Sequence, residues 1–154
     1  MNISDLLVES GIQLDLRAKD KKSAIEELVA LLGRVAPLTD SKSVLQAVQD
    51  REEIVSTGIG QGIGIPHAKT SMVDSIRIVF ARSTAGVEFD ALDGKPVHLF
   101  FLLVAPLDRS GPHVQTLARI ARLLKDASFR EALLAAKGAA EIQALIREEE
   151  ARRF

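Results

Sequence analysis

The feature that most constrains the fold is a run in which glycine occupies every second position, closed by a proline and a histidine. The glycines are Gly58, Gly60, Gly62 and Gly64. A glycine strand loses much conformational entropy on folding and has no side chains to pack, so it suits a place where another group approaches the backbone closely. Pro66 fixes its own φ and biases Ile65 to an extended conformation. We therefore predict a stiff, bare strand that presents the imidazole of His67.

Two common phosphate-binding loops are excluded by counting along this run. A Rossmann fingerprint would need glycine at Ile63 or Ile65. A Walker A loop ending at Lys69 would need glycine at Ile63 and Ala68. The three histidines of the chain are far apart, no H-E-x-x-H motif occurs, and cysteine is absent. The sequence therefore predicts neither a metal site nor a bound cofactor.

Length and composition predict one soluble domain that spans residues 1–154. The chain has 154 residues, of which 47% are apolar and 27% are charged, and this suits one core with a solvated surface. A net charge of −1 offers no basic field for nucleic acid, and the longest apolar stretch, Leu99–Pro106, is too short to cross a bilayer. Residues 1–10 lack the basic region of a signal peptide, and cysteine is absent, so we predict a cytoplasmic protein.

The hydrophobic pattern alternates between strand and helix segments. The predicted strands are Ile12–Leu16, the glycine run, Ile76–Ala81 and Val97–Val104, the last two being apolar enough to lie centrally. The predicted helices are Lys21–Val35 with Asp20 as its N-cap, Ser41–Asp50, Pro112–Lys125, Phe129–Ala136 and Ala140–Glu149. The charged segment Glu148–Arg153 is expected to be a solvated helix end. This order predicts an α/β fold with a mixed β-sheet flanked by helices on both faces.

His67 is the candidate reactive side chain. Imidazole is a good neutral nucleophile near pH 7, and a rigid, unhindered approach suits a nucleophile or a ligand better than a core position. The alternative is a loop histidine without a role, which the surrounding proline and glycines make a poor explanation. His98 lies inside a predicted strand and is expected to be structural. Lys69 either adds positive potential or is an ordinary surface lysine.

Two further residues have plainer explanations when only their spacing is considered. His113 begins a helix and shares one face with Leu117, Ile120 and Leu124, which favours a histidine at the edge of the core. Arg51 follows the predicted end of a helix, where the helix dipole favours a cation and solvent surrounds it. Spacing alone therefore predicts structural roles for His113 and Arg51.

The segment from Arg51 to His67 carries the pattern R-E-x-x-x-S-T-G-I-G-x-G-I-x-I-P-H. This pattern resembles the phosphorylation-site segment of the fructose/mannitol-type IIA proteins of the bacterial phosphotransferase system. A second pattern, from Val104 to Leu124, resembles the region around the second histidine of that family, here His113. The first pattern is long and specific, so chance is a poor explanation for it.

The resemblance runs over nearly the whole chain, from Ile3 to about Arg147. Within the family, the chain is most similar to the stand-alone nitrogen-related branch. Two positions depart from the family pattern: Gly64, where relatives often carry alanine, and Gln61, where asparagine is common. Neither departure changes the chemistry that the pattern implies, although Gly64 loosens the strand.

The resemblance implies a role for each matched residue. His67 would accept a phosphoryl group on Nε2 from an HPr-like phosphohistidine carrier protein. His113, at a helix N-terminus that suits an anion, would orient His67 and hydrogen-bond the phosphoryl oxygens. The guanidinium of Arg51 would stabilise the phosphate, and Thr57 and Ser56 are candidate hydroxyl donors. These implied roles replace the plainer explanations for His113 and Arg51.

The resemblance also implies a phosphotransferase that needs no nucleotide, since the phosphate arrives already activated. The first alternative is a regulator whose phosphorylation state is read by target proteins, as in the nitrogen-related branch. The second is a sugar-specific IIA component that passes phosphate to a separate IIB subunit, because this chain has no cysteine to serve as that acceptor. The third is a binding module in which His67 is not phosphorylated. A small, transient interface would serve any exchange with two partners.

Overall fold

Two long antiparallel strands form the centre of the fold in the computed structural model, which describes residues 2–154. The strands are β1 (Ile12–Gln13), β2 (Gly58–Gly60), β3 (Ile63–Gly64), β4 (His67–Lys69), β5 (Arg77–Val87) and β6 (Val97–Ala105). The central pair is β5 and β6, as their strongly apolar sequences predict. Both extend beyond the predicted strands, β5 by six residues at its C-terminal end and β6 by one.

The sheet is mixed, as predicted. Its strand order is β1-β5-β6-β3-β2, and β4 also pairs with β6. β5 and β6 run antiparallel, whereas β1 is parallel to β5, and β3 and β4 are both parallel to β6. The chain therefore follows β6 twice along the same edge, first as β3 and then as β4, which begins at His67 opposite Leu103.

Helices cover both faces of the sheet and bury a separate apolar layer on each. The helices are α1 (Ile3–Leu6), α2 (Lys21–Val35), α3 (Ser41–Ile54), α4 (Ser110–Leu123), α5 (Ala127–Ala135) and α6 (Ala139–Arg153), with a short 3-10 turn at Glu9–Gly11. Along β5, Val79 packs toward α2 and α3 whereas Ile78 and Phe80 pack toward α4, α5 and α6. This arrangement confirms the predicted fold class. Within residues 2–154, no helix has both the length and the apolar composition needed to cross a bilayer.

The predicted helices are present, but several of them begin or end a few residues away from the predicted positions. α2 matches its predicted range, and Asp20 caps it by accepting a hydrogen bond from the Ser23 amide at 2.9 Å. α3 continues to Ile54, so Arg51 lies in its last turn and not beyond it. α4 begins at Ser110, which places His113 in its first turn. β1 is shorter than predicted, because only two residues pair with β5 in a regular ladder.

The prediction of one continuous glycine strand is wrong: the run folds as a hairpin. β2 and β3 pair antiparallel across a turn in which Gly60, Gln61 and Gly62 have φ values of 100°, 58° and 78°. Glycine adopts this left-handed region at little cost, and the two glycines flank Gln61, so three left-handed residues in succession reverse the chain. The carboxylate of Asp93 stabilises the turn by accepting a hydrogen bond from the Gln61 amide at 3.1 Å. The alternating spacing of the glycines predicted a strand, although the segment contains a turn.

The close approach that the glycines predicted comes from the protein itself. A Cβ at Gly58 would lie 2.8 Å from Cβ of Ala91, and one at Gly64 would lie 3.1 Å from the ring of Phe100. Both distances are below ordinary van der Waals contact. These two glycines therefore let the hairpin pack against the loop after β5 and against β6.

The prediction that the charged end of α6 is merely solvated is also wrong. Glu149 and Glu150 are only 1% and 3% exposed. Glu149 pairs with Arg152 and Arg153, and Glu150 accepts a hydrogen bond from Arg119 Nε at 2.9 Å. Glu150 also accepts hydrogen bonds from two amides of the first turn of α1, those of Ile3 and Ser4. The carboxylate thus joins the two ends of the chain, because the amides at a helix start lack partners within the helix.

A buried arginine on β5 supports the C-terminal end of α5. Arg82 is 8% exposed, and its Nη1 donates to the carbonyls of Leu133, Leu134 and Ala136 at 2.9, 3.1 and 2.7 Å. Its Nε donates to the carbonyl of Leu14 at 3.2 Å. The last carbonyls of a helix lack partners within it and carry partial negative charge, so they suit a guanidinium.

We expect Arg82→Met to lower the free energy of unfolding by about 3 kcal/mol, because it leaves several buried carbonyls without a donor. The measurement is urea unfolding followed by circular dichroism. Arg147→Met is the matched control, since Arg147 is exposed on α6 and its replacement should change stability by less than about 0.5 kcal/mol. Equal stability losses in the two variants would contradict the structural role given to Arg82.

Candidate active site

The ring of His67 lies at the start of β4 and is half-buried. Its Nδ1 lies 2.8 Å from the carbonyl oxygen of Ile65. A carbonyl can only accept a hydrogen bond, so Nδ1 carries the hydrogen and Nε2 retains its lone pair. Pro66, between the two residues, fixes the local backbone. The arrangement therefore presents Nε2 as the free, basic nitrogen of a neutral imidazole.

His113 lies directly beside His67. The two ring centroids are 5.4 Å apart with an interplanar angle of 54°. His113 is 5% exposed, and within residues 2–154 its buried Nδ1 has no hydrogen-bond partner. A hydrogen on Nε2 avoids burying an N–H group without an acceptor, so we assign the neutral tautomer that way. The structure thus brings together two histidines that are 46 positions apart in the sequence.

Two cations border the histidine pair. Arg51 is in the last turn of α3, where its Nη1 donates to the carbonyl of Val55 at 3.2 Å. Lys69, at the end of β4, donates to Oγ of Ser110 at 3.0 Å, at the start of the helix that carries His113. Among the described residues, neither cation forms an ion pair within 4.0 Å. The site therefore has positive potential that the protein does not neutralise by direct pairing.

The two candidate hydroxyl donors are directed at other protein groups. Thr57 is buried, and its Oγ1 donates to Glu52 Oε1 at 2.6 Å. Ser56 Oγ donates to the carbonyl of Phe89 at 3.3 Å. Their part in phosphate binding stays a prediction. His98 lies apart from the pair, with Nδ1 2.8 Å from the carbonyl of Ser83, as suits the structural role predicted for it.

Glu52 is part of the pattern that begins at Arg51, but the sequence analysis assigned no role to it. Its carboxylate is almost fully buried and accepts hydrogen bonds from the amide and the hydroxyl of Thr57, at 2.8 and 2.6 Å. The helix dipole disfavours an acidic residue in the last turn of a helix, which is where Glu52 lies in α3. That mismatch is the sequence signal that could have indicated a specific partner.

Large apolar side chains are exposed on the segments that carry the site: Ile54, Val55, Leu107 and Val114. Ile54 and Val55 follow Arg51 at the end of α3, Val114 adjoins His113, and Leu107 lies between β6 and α4. A cavity of about 760 Å³ is lined by residues that include Lys21, Glu52 and Leu92, but neither His67 nor His113 lines it. Exposed apolar side chains therefore lie on the same chain segments as Arg51 and His113, which suits a macromolecular partner.

The surroundings of both histidines favour the neutral imidazole. Burial is the main cause that lowers the pKa of His67 below its ordinary value, and the charge of Arg51 adds to it, while the Ile65 hydrogen bond and Glu52 partly oppose this. Burial also lowers the pKa of His113, to about 4, with further contributions from the charge that His67 carries once it is protonated and from the charges of Lys69 and Arg51. A neutral His67 keeps the lone pair that makes it a nucleophile. A neutral His113 beside it adds no positive charge that would weaken this nucleophile.

These shifts predict the pH dependence of the folded protein. In an NMR titration, the His113 ring should protonate near pH 4, far below the ordinary histidine value of 6.5. The unfolded chain takes up the proton at the ordinary value, so the free energy of unfolding should fall as the pH decreases from 6.5 to about 4. Lys69→Met should raise the pKa of His113, because it removes a nearby positive charge. Protonation of His113 near pH 6.5 would contradict the buried, cation-flanked site.

Comparison with known proteins identifies the family of this chain. A family model described as "Phosphoenolpyruvate-dependent sugar phosphotransferase system, EIIA 2" matches residues 5–149. The chain is 36% identical over 148 residues to a "Nitrogen regulatory protein" of Bradyrhizobium diazoefficiens, with 95% of each protein covered. It is 39% identical over 137 residues to the "PTS system fructose-specific EIIABC component" of Bacillus subtilis, a match covering 89% of this chain but only 22% of that relative.

A solved structure shows the same architecture. The nitrogen regulatory protein IIA-Ntr of Neisseria meningitidis superposes with a TM-score of 0.87 at 37% identity, covering 94% of this chain and 98% of that protein. The family model, the relatives and the superposition thus confirm the family predicted from the histidine patterns. The chain belongs to the EIIA type 2 family of the phosphoenolpyruvate-dependent sugar phosphotransferase system.

Proposed function

We propose that this chain is a phosphocarrier that accepts a phosphoryl group on Nε2 of His67 from an HPr-like phosphohistidine carrier protein. The observation that carries the proposal is the hydrogen bond of Nδ1 to the Ile65 carbonyl, which leaves Nε2 as the free nucleophile. The Nε2 lone pair forms the new N–P bond as the N–P bond to the donor breaks, and that electron pair returns to the donor nitrogen. Nδ1 keeps its hydrogen throughout, so no external base is required.

His113 and Arg51 would supply the electrostatic support for this transfer. Phosphoryl transfer needs little besides positioning and stabilisation of charge on the equatorial oxygens. The Nε2–H of a neutral His113, in a ring 5.4 Å from that of His67, can donate to such an oxygen. Arg51 lacks an ion-pair partner among the described residues and offers a planar fork for two oxygens. Thr57 would contribute through its backbone segment, because its hydroxyl hydrogen is directed at Glu52.

The open site fits a protein partner. The donor would dock on the face around His67, where Ile54, Val55, Leu107 and Val114 expose apolar surface. A carrier must release each partner quickly, so a small interface with an apolar border is appropriate. A cytoplasmic location remains part of this proposal.

We favour a regulatory phosphocarrier whose phosphorylation state is read by target proteins. The support is the "Nitrogen regulatory protein" of Bradyrhizobium diazoefficiens, which matches this chain over 95% of both lengths. The alternative is a sugar-specific component that passes phosphate to a separate IIB subunit, and the fructose-specific relative of Bacillus subtilis favours it. In that case, a cysteine-bearing IIB protein should remove the phosphate from His67.

The experiment is a reconstituted phosphorelay with phosphoenolpyruvate and the general carriers of the same organism. Intact-mass spectrometry should show the addition of one phosphoryl group that is labile in acid and stable in base. Pull-downs with both phosphoforms then separate the two alternatives: regulatory targets that prefer one form, or a IIB subunit that discharges it. A chain that takes no phosphate from an active donor would instead be a binding module, the third alternative.

A further inference from the structure

The carboxylate of Glu52 begins a chain of hydrogen bonds that ends at His67. Glu52 accepts from the Thr57 amide at 2.8 Å and from the Thr57 hydroxyl at 2.6 Å. The carbonyl of Thr57 accepts a hydrogen bond from the Ile65 amide at 3.0 Å. The carbonyl of Ile65 is in turn the acceptor for Nδ1 of His67, at 2.8 Å. Among the described residues, no direct hydrogen bond joins Glu52 to His67; Glu52 instead holds Thr57, to which the anchor of His67 is bonded.

Charges and helix ends show that this contact is specific. Glu52 lies in the last turn of α3, and Lys21 is the first residue of α2, so each charge is at the helix end that the dipole disfavours. The two side chains meet at 2.9 Å, and Lys21 Nζ also lies 5.0 Å above the ring of Phe89. The side chain of Glu52 is only 3% exposed, and a buried carboxylate persists only when it is paired and hydrogen-bonded. Both conditions are met here.

We propose that Glu52 is a positioning residue for phosphoryl transfer, because it fixes Thr57 and thereby the Ile65 carbonyl that sets the tautomer and orientation of His67. This inference rests on the proposed function, since the transfer is the reaction that it assists. The site also depends on Glu52 at a second point. Arg51 is the adjacent residue and donates to the Val55 carbonyl, so the segment that Glu52 ties down also carries the phosphate-binding guanidinium.

The test variant is Glu52→Gln, which keeps the shape of the side chain but removes its charge and one acceptor. We expect kcat for phosphoryl transfer to fall by about 10- to 100-fold, because a small misplacement of reacting groups slows a reaction by this order. KM for the donor carrier should not change. The ¹⁵N shifts of the His67 ring should move from one defined tautomer toward a mixture of the two. If Glu52 had a purely structural role, the variant would change the melting temperature but neither kcat nor the ¹⁵N shifts of the His67 ring.

Glu150→Gln is the matched control. Glu150 is also a buried carboxylate that accepts two amides and pairs with one cation, Arg119, but it lies between α1 and α6 and away from the histidines. The Glu150→Gln variant should lower the melting temperature to a similar extent without changing kcat or the ¹⁵N shifts of the His67 ring. Wild-type kcat and ring shifts in Glu52→Gln would overturn the inference.

The inference can still be tested if Glu52→Gln does not fold or if the wild-type chain takes up no phosphate. If Glu52→Gln does not fold, Thr57→Val removes only the hydroxyl contact, and a several-fold lower kcat with shifted His67 resonances is expected; unchanged values would again overturn the inference. If the wild-type chain takes up no phosphate, the proposed function fails. The tautomer of His67 in Glu52→Gln then decides by itself whether Glu52 positions the ring.

Discussion

His67→Ala should abolish phosphate uptake from the phosphorylated donor carrier. His67 has a hydrogen-bonded Nδ1 and a free Nε2, and alanine provides no nucleophile in its place. The buried His113 is held neutral with a pKa near 4, but its ring is at a helix start and not at the end of the glycine hairpin. We therefore expect no compensating phosphorylation at His113. The measurement is intact-mass spectrometry after incubation with donor and phosphoenolpyruvate, with the fold verified by circular dichroism.

His98→Ala is the matched control for this experiment. His98 is also a half-buried histidine with Nδ1 on a backbone carbonyl, that of Ser83, but it lies apart from the histidine pair. Its replacement should leave phosphate uptake largely intact. Phosphorylation of His67→Ala at the wild-type rate would show that another residue is the acceptor.

His113→Ala should slow transfer by ~10²–10³, the usual effect of removing one positioned donor to a developing charge. The phosphate that is transferred should still map to His67, because the tautomer of that ring depends on Ile65 and not on His113. The measurement is quench-flow transfer from the phosphorylated carrier, followed by peptide mapping under alkaline conditions. A wild-type rate would return His113 to a structural role at the edge of the core.

Arg51→Ala should slow transfer in the same way, and Arg51→Lys should recover only part of the rate. Lysine keeps the charge but lacks the planar fork that binds two phosphoryl oxygens. The same quench-flow measurement gives both values. Equal rates for the lysine variant and the wild type would show that Arg51 acts through its charge alone.

Much of the fold could be predicted from local sequence. The apolar runs of β5 and β6 exceed what an exposed strand carries, so their central position followed from composition. α2 was predicted to the residue because Asp20 and the apolar face mark its start and its register. The glycine hairpin was missed because alternating spacing is common to a strand and to a turn built on left-handed residues. Distinguishing them requires knowing what packs against the chain.

The burial of Glu150 could not be predicted for a related reason. A run of charges at a helix end usually faces solvent, and local sequence gives no other indication. The buried state of Glu150 depends on two amides at the opposite end of the chain and on Arg119 of another helix. Contacts between residues more than 100 positions apart leave no local periodicity in the sequence.

The sequence by itself determined the family and the identity of the candidate residues, because a long motif around Arg51 and His67 survives as a linear pattern. Only the tertiary structure decided how those residues meet. The placement of His113 beside His67, the hydrogen on Nδ1 and the anchoring of the hairpin by Glu52 all arise from contacts between separate elements. Protonation and orientation of a side chain depend on burial and on hydrogen-bond partners in space, and the order of residues along the chain does not specify either.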